Sequence, residues 1–140
     1  MKSRTALLTW LQVVLVALLA YSLLLVFAGS VAERFFSALG FGPPEPADSA
    51  ALRDYLKLPF MVLGAVLAGW AVMMLHIVRG PLREGADWAV PVLVRSLALW
   101  FVLDTGMSLV LGFPTHALFN LVFAAALGVP LLRLSRADRI

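Results

Sequence analysis

The chain contains no cysteine, only two histidines, and few charges: 14% of its 140 residues are Asp, Glu, Lys or Arg. Without thiols it has no disulfide framework, no thiolate metal site and no cysteine nucleophile. So low a charged fraction, against about 25% in an ordinary soluble domain, leaves too little polar surface to coat a water-soluble particle. That excludes a cytosolic enzyme, a disordered tail and a nucleic-acid module. Also missing are a phosphate-binding or dinucleotide glycine fingerprint, a His-Glu-x-x-His helix, a Gly-x-Ser-x-Gly elbow and a regular arginine ladder. No metal site is expected, and the sequence leans against an enzyme.

What is present is apolar. Hydrophobic residues make up 62% of the chain and the mean hydropathy is +0.97. Crossing about 30 Å of hydrocarbon takes about 20 such residues in helical form. Spans are expected at about 5–28, 58–78, 88–111 and 115–132, within a single transmembrane domain covering 1–140. Continuous runs of this length exclude a β-barrel, whose strands alternate. Gly80-Pro81 is expected to stop the second span, Asp87 to cap the third, and Gly112 with Pro114 to turn the chain into the fourth. Pro130 is expected to bend or end that last helix. Lys2 and Arg4, an apolar run and Ser30-Val31-Ala32 imitate a secretory signal, but the run exceeds the roughly 7–15 residues of a signal core, so an uncleaved first helix is expected.

The expected fold is therefore an all-α membrane protein, an antiparallel four-transmembrane-helix bundle. The outer loop, 30–57, carries Val31, Ala32, Phe35, Phe36 and Leu39 at helical spacing, which predicts a short amphipathic interfacial helix. Pro43-Pro44-Glu45-Pro46 then imposes an extended stretch, and Asp48 or Ser49 is placed to cap a further short helix leading to Pro59. Lys2, Arg4, Arg79, Arg83, Arg133, Arg136 and Arg139 fall on one side, whereas Arg34, Arg53 and Lys57 fall on the other. The positive-inside rule puts both termini in the cytoplasm, in a bacterial plasma (inner) membrane with anionic head groups as partners and no nucleic acid.

Polar groups inside the spans are the functional candidates, because hydrocarbon makes them costly. Asp104 lies about seven residues, or about 10 Å, from the outer end of its helix. Its short side chain cannot snorkel that far, so it needs a partner from another helix or a proton. Counting back from a turn at Gly112 sets Asp104 level with Asn120 and Ser108 level with His116. Tyr21 falls at matching depth in the first span, while Trp100 and Trp70 fall near the membrane centre and offer indole walls for a lipophilic molecule. Asp104, Asn120, His116, Ser108, Tyr21, Trp100 and Trp70 are therefore candidates for a ligand or proton site, beside the plainer reading of polar glue between helices. Gly64, Ala68 and Gly69 on the second span, and Ala124 and Gly128 on the fourth, form small-residue faces suited to bundle packing or to an interface with protein subunits or a homo-oligomer. No cofactor is expected; His76 alone offers an imidazole to a haem or chlorin.

Two functional expectations follow. The first is a non-catalytic accessory subunit or scaffold of a larger membrane assembly, with a lipid-binding surface. The second is a membrane-embedded binder, isomerase or proton-coupled transport protein for a small lipophilic or cationic ligand, using the Asp104 carboxyl.

Overall fold

A computed structural model describes residues 2–29, 31, 34 and 50–137. Five helices account for nearly all of them: α1 (Lys2–Phe27), α2 (Ala50–Arg79), the single turn α3 (Pro81–Glu84), α4 (Ala89–Val110) and α5 (Pro114–Ala137). Among the described residues there is no strand. Four helices are long and apolar enough to cross a membrane. The shortest, α4, has 22 residues, which at about 1.5 Å per residue exceeds a hydrocarbon layer of about 30 Å. The expected interfacial helix at Val31–Leu39, the Pro43–Pro46 stretch and the Asp48 or Ser49 cap lie, apart from Val31 and Arg34, outside the described residues.

The helix ends differ from expectation in instructive ways. The second helix begins at Ala50 and runs through Pro59, because Arg53, Asp54 and Lys57 mark where the apolar stretch ends, not where the helix must. Pro59 is exposed and frees only the Tyr55 carbonyl one turn back. Asp87 does not cap α4: the N-cap is Trp88, in helical conformation and without a side-chain cap bond. Pro91 sits in the first turn, where a missing N–H is harmless.

The turn between α4 and α5 is a C-terminal glycine motif in full. The Gly112 N–H donates to the Leu109 carbonyl and the Phe113 N–H to the Ser108 carbonyl, with Gly112 at φ +81°. That left-handed conformation suits glycine and lets Pro114 start the next helix at once.

Pro130 neither ends nor interrupts α5, which continues to Ala137. Having no N–H, it strips the Ala126 carbonyl of its helical donor. The Trp10 Nε1–H of α1 donates to that carbonyl at 2.9 Å. The helix is thus repaired from outside by an indole on another helix.

The chain divides into two compact units, residues 1–16 with 73–140 and residues 17–72. In the first, Leu11, Leu15, Met74, Leu93, Leu127 and Leu131 are almost fully buried, and Arg4 of α1 donates to the Leu82 carbonyl of α3 at 2.9 Å. In the second, α1 and α2 cross at Gly64. A Cβ there would lie 2.6 Å from the Ser22 carbonyl oxygen and 2.9 Å from Leu25 Cβ. Only glycine permits that approach. Many large apolar side chains stand outward: Val66, Leu99, Val102, Leu121 and Val122 are all more than half exposed.

Candidate functional site

The α4–α5 hairpin carries the site. On α4, Leu93, Leu97, Trp100, Asp104 and Ser108 recur every three or four residues and form one stripe, buried or half-buried along its length. On α5 the matching stripe is His116, Asn120, Phe123, Leu127 and Leu131. The two run in opposite senses. Leu97 meets Gly128, with 3.7 Å between its methyl and where a Cβ would stand. Trp100 meets Phe123 edge to face at 5.4 Å, and Asp104 meets His116.

His116 Nε2 lies 3.5 Å from Asp104 Oδ2. This is an ion-pair distance, longer than the 2.7–3.2 Å range of a strong N–H···O bond. Both side chains are about one-third exposed, at 32% and 38%, and the pair is therefore reachable from outside the helices. His116 stands in the first turn of α5, where the helix dipole favours a nearby negative charge.

Depth counting placed Asp104 opposite Asn120 and Ser108 opposite His116. The carboxylate instead reaches His116, one turn closer to the hairpin, because level residues meet only if their rotation about the helix also matches. Ser108 does not reach across at all. Its hydroxyl donates to the Asp104 backbone carbonyl at 2.6 Å, a local bond that consumes its donor. Ser22 behaves identically toward Leu18, at 2.7 Å.

Among the described residues, two buried polar atoms of the hairpin have no hydrogen-bond partner, the Asn120 side-chain nitrogen Nδ2 and the Thr105 hydroxyl. Asn120 is 1% exposed. An unsatisfied buried amide costs about 1–3 kcal/mol, and such exceptions in native proteins call for an explanation such as a bound water or ligand. Thr105 is signalled in the sequence as one of the few polar residues inside a span, but the depth count did not pair it with anything. Phe123, the edge-on partner of Trp100, was concealed among the apolar majority.

The other candidates are placed separately. Tyr21 and Trp70 are half-buried in the unit of residues 17–72. Gly64 is used inside the chain, at the α1–α2 crossing, whereas Gly69 has nothing within 4 Å of its missing side chain. Ala68 and Ala124 are half-buried. His76 is exposed in the last turn of α2. Among the described residues no three of His, Cys, Asp and Glu gather as metal ligands.

No protein-family model matches the chain, and no curated protein and no solved structure is similar to it.

Proposed function

We propose that this is a four-span integral membrane protein that binds a small lipid-soluble molecule at the outer half of the α4–α5 hairpin. Its setting is a bacterial plasma membrane, with both termini in the cytoplasm and the Gly112 turn outside, as the distribution of Lys and Arg favours. The four spans pack as an antiparallel bundle. The observation that carries the binding role is the buried Asn120 side-chain nitrogen, without an acceptor among the described residues, on the same hairpin as the partly exposed Asp104–His116 pair. A purely structural network would be expected to close on itself, because polar groups in hydrocarbon gain only by pairing. This one leaves two donors without acceptors and a carboxylate partly open.

The test is extraction. Wild-type protein purified in mild detergent is stripped with organic solvent and its small molecules are compared with those of Asp104→Asn, a change of one atom's chemistry with little change in volume. The wild type is expected to carry a molecule, at near-stoichiometric amount, that the variant has lost. Identical extracts from both would overturn the proposal.

A second reading is an accessory subunit or scaffold of a larger assembly, in which a helix of another chain supplies the missing contacts. It is favoured by Gly69, an exposed glycine with no atom near its absent side chain, which leaves a notch on α2 that a neighbouring helix can enter. Co-purification of a second membrane protein, lost in Gly69→Leu, is the outcome it expects.

A further inference from the structure

We infer that the ligand of the α4–α5 hairpin is a neutral, lipid-soluble molecule bearing a carbonyl oxygen, and that Asn120 and Thr105 hydrogen-bond that oxygen. The inference rests on the binding reading above and names the chemistry of its ligand.

The reasoning starts from what the unpartnered groups need. The Asn120 Nδ2 amide is a donor with no acceptor, and a hydroxyl such as that of Thr105 donates as readily as it accepts. A cation would be repelled by the Asn120 amide nitrogen and would leave that donor unsatisfied, whatever it gained from the hydroxyl or from Asp104. A carbonyl oxygen has two lone pairs and can satisfy both.

The two groups also face the same way. Seen from one end, antiparallel helices turn in opposite senses, so residues offset in the same rotational sense from the line of contact fall on one side of the pair. The α4 contact line passes through Trp100 and Asp104, and that of α5 through His116 and Phe123. At about 100° per residue, Thr105 is offset about 100° from Asp104 and Asn120 about 40° from His116, in the same sense. Thr105 therefore stands on the flank of the hairpin toward which Asn120, itself part of the α5 contact stripe, is also turned.

The surroundings suit such a molecule. Trp100 stands edge-on to Phe123 at 83°, an aromatic wall about one helical turn deeper than Asp104. Asp104 and His116, a third exposed, form the polar lip. Two sources supply a carbonyl at this depth: the ring of a quinone and the ester of a bilayer lipid. The shared chemistry is the oxygen acceptor.

The experiment uses the full chain in lipid-free detergent micelles. Three probes are titrated separately: a short-chain 1,4-benzoquinone, a diacyl phospholipid, and a hydrophobic tertiary ammonium ion. Binding is read as saturable change in indole emission, and the part belonging to the site is the part lost in Trp100→Phe. Either carbonyl probe is expected to saturate, the one that does identifying the source, and to weaken by about tenfold in Asn120→Leu and in Thr105→Val, as loss of one hydrogen bond implies. Asn120→Leu is also expected to melt higher than the wild type without ligand, by about 3–6 °C, since it removes an unsatisfied group. That combination, more stable yet binding about tenfold more weakly, is one that a purely structural asparagine would not produce. Saturation by the ammonium ion alone would overturn the carbonyl assignment and leave the binding site standing. Saturation by none of the three, together with a lowered melting point for both variants, would overturn both. Carbonyl binding unchanged in Asn120→Leu and Thr105→Val would overturn the roles of these residues.

Discussion

The bond between Trp10 and the Ala126 carbonyl makes a sharp prediction, because a single missing hydrogen in α5 creates the need for it. Pro130 has no N–H, so Ala126 loses its partner four residues on, and the indole of α1 replaces it at 2.9 Å. Replacing Trp10 by Phe keeps an aromatic ring but removes the donor. An unsatisfied carbonyl in apolar surroundings costs about 1–3 kcal/mol; Trp10 is 52% exposed, so the low end, about 1 kcal/mol, applies, with a smaller loss for the reduced ring. In a Pro130→Ala background the N–H of residue 130 returns to the Ala126 carbonyl, and Trp10→Phe should then cost only the ring. The assay is a four-protein cycle of wild type, Trp10→Phe, Pro130→Ala and the double variant, unfolded in mixed micelles at one protein concentration. A coupling of about 1 kcal/mol is expected, outside the roughly 0.3–0.5 kcal/mol within which independent sites add. Strict additivity would refute the reasoning, and so would a larger effect of Trp10→Phe in the alanine background.

Four further substitutions test the packing and the turns. Gly64→Ala places a Cβ 2.6 Å from a backbone oxygen that cannot swing away; overpacking of about 3 kcal/mol, offset by about 1 kcal/mol of helix propensity, leaves a net loss of about 2 kcal/mol. Gly69→Ala, with nothing within 4 Å, should be neutral or stabilising by up to about 1 kcal/mol, and equal melting points for these two variants would refute the crossing. Gly112→Ala must hold φ near +81° and is expected to cost about 1–2 kcal/mol, measured by the same unfolding assay; no loss would mean that the turn does not depend on its left-handed glycine. Arg4→Met removes the donor to the Leu82 carbonyl, held at 2.9 Å, and should speed hydrogen exchange within α3 while leaving α5 unchanged.

The sequence made the four long helices legible because hydrocarbon thickness sets a length that few soluble segments reach. It also located the α4–α5 turn, since Gly112 and Pro114 each have one conformational reason to be there. Helix ends were less legible at α2, where charge marks the edge of the apolar run and the helix continues beyond it to Ala50. In the candidate site, Asp104, His116 and Asn120 stood out as polar residues in apolar runs. Their pairing did not, because counting residues from a turn yields depth and not rotation. The role of Trp10 required two distant facts together: an interfacial indole, and a proline whose missing N–H strands a carbonyl one turn earlier. Thr105 was visible as a polar residue in a span but carried no assigned role, since a threonine there ordinarily bonds its own backbone.

The central claim is that the hairpin holds a molecule. Native mass spectrometry of the 15.2 kDa chain, released gently from detergent, tests it most directly. The account predicts a discrete adduct of one small molecule per chain on the wild type and on Gly69→Ala, and its disappearance from Asp104→Asn and Asn120→Leu. A bare wild-type mass, or an adduct equally abundant on all four proteins, would contradict it.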